Sequence, residues 1–173
     1  MPSLLLHIGR FFIILLAQGL IFGQLEFELG IHTMIYPLFI LMLPFDTRPI
    51  ILMLLAFILG IGVDFFMNTF GLHASAAVLV AYIRPELYRL FAPRDGYDIL
   101  MQPTAESMGY KWFIYVTSIT ILIHHLWFFF LEYFKWSEVF TILRNTLLSG
   151  LTTLTLLILI QIIFFKKKKR HEP

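Results

Sequence analysis

The sequence predicts an all-α integral membrane protein, a bundle of six transmembrane helices with both chain ends on the cytoplasmic side. The 173-residue chain is 59% hydrophobic and only 14% charged, and a soluble domain of this size could not bury so much apolar surface. The apolar residues form runs that are separated by short polar turns. Because about 20 apolar residues in a helix cross a bilayer, the surplus apolar side chains are expected to face lipid.

The first three spans lie in the N-terminal part of the chain. Residues 4–22 form the first. Residues 31–45 are short for a span, but a helix of this length reaches across if its ends lie in the membrane interfaces. The turn Asp46-Thr47-Arg48-Pro49 follows, because a residue before proline avoids the α region and Pro49 suits the first turn of a helix. The third helix then covers residues 50–67.

The rest of the chain holds three further spans and the main aqueous loop. Residues 72–83 form the fourth helix, which Arg84-Pro85 either ends or continues as an amphipathic interfacial stretch. From about residue 84 to 111 we predict a cytoplasmic loop, since its later part is rich in acidic residues and poor in large aliphatic ones. Residues 112–134 and 140–165 are the last two spans. Residues 1–173 are thus one membrane domain with a basic tail, 166–173.

The basic residues indicate the orientation of the chain. If the cluster at residues 166–170 is cytoplasmic, six crossings place eleven of the thirteen lysines and arginines on that side. Such an excess is the expected positive-inside bias. A five-helix alternative without residues 31–45 would move Arg10 to the opposite side, so the bias favours six crossings.

Small and polar residues around the turn between the third and fourth helices form the main candidate site. The members are Gly60, Asp64 and Asn68 before the turn, and Gly71, His73, Ala77 and Ala81 at and after it. Residues spaced by four share one face of a helix, and small residues at this spacing let two helix backbones approach closely. These positions are therefore predicted to shape the hairpin and its interactions.

Asp64 and His73 flank this turn, so they could meet. One interpretation is a carboxylate and imidazole pair that binds an ion or a substrate. The alternative, which we favour, is a polar clamp that fixes the turn, because a hairpin near the membrane interface is partly hydrated and tolerates such groups.

The other conspicuous polar residues are expected to serve packing. His124 and His125 are adjacent in the fifth span, and neighbouring helical residues point about 100° apart, so we predict core histidines that form hydrogen bonds and no metal site. The chain has no cysteine and no nucleophile elbow, phosphate loop or dinucleotide fingerprint. No catalytic, cofactor-binding or metal-binding residue is predicted. Arg10 is expected to reach the cytoplasmic interface, and Gln161 to bond another helix.

The polar residues between the spans resemble a known family. The stretch GIGVDFFMNTFGLHASAA at residues 60–77 resembles the signature of MreD, the membrane subunit of the bacterial rod-shape system. The segment from Leu43 to Thr47 and the loop from Ala92 to Tyr97 resemble the version found in Bacteroidetes-like bacteria. Size, short loops and six predicted crossings agree with that family over nearly the whole chain.

The resemblance implies a function and partners. A member of this family is a non-enzymatic scaffold in the cytoplasmic membrane that associates with MreC, and through it with MreB, RodA and a class B penicillin-binding transpeptidase of peptidoglycan synthesis. The resemblance is also compatible with a homodimer. The basic tail is expected to attract anionic lipids, and nucleic-acid binding is not expected.

Two other function classes stay open. The family's bundle is similar to the substrate-binding subunits of energy-coupling-factor vitamin transporters, so the alternative function is a small-molecule-binding membrane subunit of a transporter. An intramembrane enzyme would need paired acids, or a nucleophile and a base, at membrane depth. Asp64 is the only clear carboxylate in the middle of a span, so the enzyme is the weakest of the three.

Overall fold

The polypeptide folds into helices joined by short irregular stretches. The computed structural model describes residues 2–24, 30–98 and 101–165, and these contain no β-strand, which confirms the predicted all-α class for this part of the chain. The α-helices are α1 Pro2–Leu20, α2 Pro37–Leu41, α3 Pro49–Met67, α4 Leu72–Leu90, α5 Ala105–Met108, α6 Tyr110–Tyr133 and α7 Val139–Phe164. The predicted basic tail, residues 166–173, lies outside the described residues.

Within the described residues, four helical stretches are long and apolar enough to cross a membrane. They are Leu5–Gln24, Pro49–Met67, Tyr110–Tyr133 and Trp136–Phe164, and they correspond to the predicted first, third, fifth and sixth spans. Helix α4 is as long as α3, with 19 residues, but its last two turns carry Arg84, Glu86 and Arg89. The four stretches indicate a membrane protein.

The second predicted span is not the helix that its hydropathy indicates. Only Pro37–Leu41 within residues 31–45 is helical, and residues 32–35 have no regular structure. Pro37 lacks a backbone N–H and stands at the start of α2, where a helix tolerates proline, but it cannot continue a helix from the preceding residues. Residues 33–43 are nevertheless entirely buried. We call residues 31–45 the central segment.

Side chains of α1 and α7 provide the hydrogen bonds that a helix would otherwise supply to the central segment. Four backbone groups have side-chain partners at 2.7–3.2 Å: Thr33 O and Ile35 N on the Gln18 amide, His32 N on Ser149 Oγ, and Met34 N on Thr153 Oγ1. Non-helical backbone at membrane depth is tolerated only where protein buries it and its polar groups are satisfied. In the central segment, residues 33–43 are buried and these four backbone groups have side-chain partners.

The central segment also runs along α7. It begins beside Ser149, and near its end Met42 Sδ accepts a hydrogen bond from Gln161 Nε2 at 3.6 Å. The helix between Ser149 and Gln161 rises about 18 Å at 1.5 Å per residue. The segment contributes to two apolar cores. One contains most of the buried side chains of α3 and α4 together with Phe128, Phe129 and Ile142, and the other contains Phe113 and Ile121 of α6 and Leu157 of α7.

We name the two ends of the bundle after the turns and chain segments that lie there. The hairpin end contains the turn between α3 and α4 and the turn between α6 and α7. The tail end contains the start of α1 and the end of α7, because the Arg10 guanidinium lies 5.4 Å from the centroid of the Phe165 ring. It also contains the end of α4 and the start of α6, where Trp112 Nε1 donates to Phe91 O at 3.0 Å.

The stretch between α4 and α6 is shorter than the cytoplasmic loop predicted at residues 84–111. Helix α4 continues through Pro85 to Leu90, and α6 begins at Tyr110. Arg84 is buried, at 2% exposure, so it does not end the helix in water. The correction has a physical reason, because the guanidinium is drawn into the bundle by carbonyl groups of the central segment.

Candidate functional site

One carboxylate holds the α3–α4 hairpin. Asp64 Oδ1 accepts hydrogen bonds from Thr69 Oγ1 at 2.6 Å and from His73 N at 3.0 Å, and Oδ2 accepts from Ala74 N at 2.9 Å. The first N–H groups of a helix lack intrahelical partners, and a negative charge there also interacts favourably with the helix dipole. Asp64 therefore caps α4 from the preceding helix. It binds the backbone of His73, whereas the imidazole of His73 bonds elsewhere.

The hairpin turn contains three residues in the left-handed region. They are Asn68 with φ 55°, Phe70 with φ 45° and Gly71 with φ 94°. Asn68 ends α3, and its N–H donates to Asp64 O, while its side chain is exposed. Glycine adopts such a φ freely, but a residue with a bulky side chain does so only where the surrounding structure imposes it. The imposed conformation leaves the Phe70 side chain fully exposed, at 100%.

Gly60 sets the distance between α3 and α4. A Cβ atom at this position would lie 2.8 Å from Ala74 N and 2.9 Å from His73 O. Both are backbone atoms, so a side chain here would push α4 away. Ala77 and Ala81 are fully buried on α4 and belong to the core that it shares with α3. Small residues thus allow the close approach of the two helices.

The imidazole of His73 belongs to a buried chain of hydrogen bonds. Its Nδ1 lies 3.1 Å from Tyr36 Oη in the central segment. The same hydroxyl bonds His124 Nε2 on α6. His73, Tyr36 and His124 are fully buried. One tyrosine hydroxyl thus joins α4 and α6 to the central segment.

His125 extends this chain to α7. Its Nδ1 lies 2.9 Å from Ile121 O and 3.3 Å from His124 Nδ1, and its Nε2 lies 3.3 Å from Thr153 Oγ1. A carbonyl oxygen can only accept, so a proton on His125 Nδ1 would satisfy Ile121 O. The Thr153 oxygen in turn accepts from Met34 N.

Tyr36 Oη also donates to the backbone O of His73 at 3.5 Å, so both the ring and the backbone of His73 contact this hydroxyl. At this end of the chain, His73 Nε2 is buried with no hydrogen-bond partner among the described residues.

This arrangement orients side chains more than it offers them to a ligand. The hydrogen-bonded chain links α4, α6, α7 and the central segment. The oxygens of Asp64 are engaged by the hairpin. In the described ranges, no group of three or more His, Cys, Asp or Glu side chains is placed to hold a metal ion.

Tyr36→Phe tests the chain, because it removes one hydroxyl and leaves nitrogens of His73 and His124 without a partner. We expect a loss of about 1–2 kcal/mol in the free energy of unfolding, measured by thermal unfolding in a mild detergent. Tyr82→Phe is the matched control, since Tyr82 is 68% exposed on α4 and its change should stay within about 0.5 kcal/mol. Equal stability of both variants would contradict a structural role for the chain.

A second cluster holds the other end of the central segment. Arg84 Nη2 donates to the carbonyls of Leu43 and Pro44, and Tyr88 Oη donates to Leu41 O at 2.6 Å. The guanidinium also lies 4.4 Å from the centroid of the Tyr88 ring, a cation–π arrangement. Arg84 Nη2 also lies 3.5 Å from Leu41 O, the last carbonyl of α2, where a positive charge is favourable for the helix dipole.

Tyr97 in the aqueous loop supports this cluster. Its hydroxyl donates to Tyr88 O at 2.7 Å and accepts from Trp112 Nε1 at 3.0 Å. Partial burial raises the pKa of the Tyr97 phenol above its ordinary value, which is itself well above neutral pH, so the phenol is a hydrogen-bond donor at neutral pH. The loop is thereby attached to α4 and α6.

Several residues of these clusters lie outside the predicted site, namely Tyr36, Arg84, Ser149 and Thr153. A signal for two of them exists in the sequence. Polar residues recur on α7 at multiples of four, at Asn145, Ser149, Thr153 and Gln161, and all are buried. Such a spacing predicts one polar face turned away from lipid. Asn145 Nδ2 donates to Tyr133 Oη at 3.1 Å, so this face also fixes the α6–α7 turn.

Comparisons with protein-family models, with curated proteins and with solved structures give no match. The resemblance to the MreD family therefore stays a prediction, and the function has to be argued from the side chains themselves.

Proposed function

We propose that this chain is a non-enzymatic membrane scaffold of the MreD type, which associates with MreC and through it with the peptidoglycan synthesis machinery that controls cell shape. In this proposal the chain crosses the bacterial cytoplasmic membrane six times, with both ends inside. Helices α1, α3, α4, α6 and α7 and the central segment each run between the hairpin end and the tail end, which supports six crossings.

The distribution of charge supports the proposed orientation. Basic side chains of the tail end are Arg10, Arg48, Arg84, Arg89, Arg94 and Lys111, whereas the hairpin end has Lys135 and Arg144. The excess favours a cytoplasmic tail end. The hairpin end then faces the periplasm.

The set of hydrogen bonds that Asp64 accepts is the observation that supports the scaffold role. An ionisable side chain at membrane depth is by default a candidate for binding or proton transfer. Here its two oxygens accept three hydrogen bonds from the hairpin itself, so its role is to fix the shape of the turn.

The fixed turn presents an aromatic surface at the hairpin end. Phe70 is 100% exposed and Phe65, on the preceding turn of α3, is 81% exposed. Protein interfaces are enriched in aromatic residues, which provide large contact areas at low entropic cost. We therefore place the contact with MreC at this end, where the hairpin holds Phe70 outward.

Phe70→Ala tests this placement. After purification of the tagged chain in a mild detergent, recovery of MreC is expected to fall about fivefold or more, since loss of an aromatic anchor costs more than about 1 kcal/mol of binding energy. The thermal unfolding temperature should not fall, because Phe70 buries nothing. Phe140→Ala is the matched control, as Phe140 is 87% exposed at the same end on α7. Unchanged MreC recovery with Phe70→Ala, or an equal loss with both variants, would contradict the placement.

A further inference from the structure

A lateral cleft separates α1 from α7 on the lipid-facing side of the bundle. Its volume is about 400 Å³. Its floor is the central segment, through Ile35, Leu38 and Met42, and apart from Arg10 its lining is apolar. From Arg10 to the end of α1 at Leu20 it extends about 15 Å at 1.5 Å per residue, and Phe22 closes it just beyond the helix; one leaflet fills half of a 30 Å hydrocarbon core, also about 15 Å.

The mouth of this cleft carries a positive charge that is held in place. The Arg10 guanidinium donates from Nη2 to Gln102 Oε1 at 3.1 Å and lies over the Phe165 ring. Its Nη1 is buried and has no hydrogen-bond partner among the described residues. The ion pair found in the described ranges joins Arg89 to Glu86, so no described carboxylate neutralises Arg10. A guanidinium with an unused donor suits a phosphate group.

From this geometry we infer that the cleft binds one anionic phospholipid of the cytoplasmic leaflet, with an acyl chain between α1 and α7 and the phosphate beside the Arg10 guanidinium. The positive charge of Arg10 favours an anionic headgroup, and the apolar lining of the cleft accommodates the acyl chain. A transmembrane helix, about 10 Å wide and 30 Å long, is too large for this volume. The assignment of the leaflet rests on the proposed orientation, whereas the lipid measurement does not involve MreC, so the two proposals can fail separately.

Native mass spectrometry of the full chain tests the inference, with dioleoyl phosphatidylglycerol and dioleoyl phosphatidylcholine titrated separately in detergent. We expect one saturable site that binds the phosphatidylglycerol about fivefold more tightly, as one Arg near the headgroups provides. Arg10→Gln should remove this preference. Arg94→Gln, the matched control, removes the same charge from an exposed loop position at the same end and should keep it.

Two further variants test the contributions of the headgroup and of the acyl chain to lipid binding separately, and they control for misfolding. Ala17→Phe fills the cleft and should lower binding of both lipids, while Arg10→Lys keeps the charge and should retain the preference. Equal binding of the two lipids by the unmodified chain, an unchanged preference in Arg10→Gln, or an equal loss in Arg94→Gln would overturn the inference. Unchanged binding in Ala17→Phe, or a second copy of the chain in place of lipid, would overturn it as well.

Discussion

Asp64→Ala is expected to lower the free energy of unfolding by about 3–5 kcal/mol. The substitution leaves the N–H groups of His73 and Ala74 and the hydroxyl of Thr69 without their acceptor. A buried polar group that loses its partner costs about 1–3 kcal/mol, and partial hydration at the hairpin end reduces the sum. Thermal unfolding in a mild detergent measures the loss.

A neutral asparagine at position 64 separates the effect of the charge of Asp64 on stability from the effect of its hydrogen bonds. Asp64→Asn keeps one accepting oxygen but places an NH₂ group where the carboxylate accepted, so its loss should lie between those of the alanine variant and the unmodified chain. Asp95→Ala, at an exposed loop position, is the control and should change stability by less than about 0.5 kcal/mol.

The same variants connect the hairpin to the proposed function. If Asp64 shapes the surface that MreC contacts, Asp64→Ala should reduce MreC recovery even where the protein level is maintained. A normal level together with intact association would contradict this shaping role, although the cap itself would still be measured by unfolding.

The sequence predicted the place of the hairpin site but not its bonds. Spacing by four put Gly60 and Asp64 on one face of α3, and the structure places both against the start of α4. The partners of Asp64 depend on the turn, where Asn68 and Phe70 take left-handed conformations that no local pattern requires of them. The imidazole of His73 instead bonds Tyr36, a residue distant in sequence. Such long-range pairs do not follow from periodicity.

The central segment shows why hydropathy misjudged the second span. Hydropathy indicates whether a segment is buried, and residues 33–43 are buried. It does not distinguish a buried extended chain from a buried helix, because the two have the same composition. The polar face of α7 contains the missing information, because Ser149 and Thr153 bond backbone groups that a helix would have satisfied internally. A polar stripe on an otherwise apolar span can thus indicate an irregular neighbour.

Arg84→Met is expected to release the tail end of the central segment and to lower the free energy of unfolding by about 2–4 kcal/mol, since hydrogen bonds from a charged donor contribute about 1.5–3 kcal/mol each. Charge counting treats Arg84 as one of many cytoplasmic cations, yet it is 2% exposed and donates to Leu43 and Pro44 carbonyls. Methionine keeps the apolar length of the side chain and removes the donor. Arg84→Lys should be intermediate, because an ammonium lacks the planar fork of a guanidinium.

A single cysteine reports the release directly, as the chain contains no other. Leu43→Cys places a thiol at a position that is 4% exposed, so maleimide labelling should be slow in this background and faster when Arg84→Met is added. Arg89→Met is the control, because its side chain lies on the same helix with 80% exposure and should leave labelling slow. Equal labelling rates with Arg84→Met and Arg89→Met would mean that Tyr88 and the apolar contacts hold the segment without the guanidinium. A selective increase with Arg84→Met would instead establish Arg84 as the group that fastens this non-helical segment at the tail end.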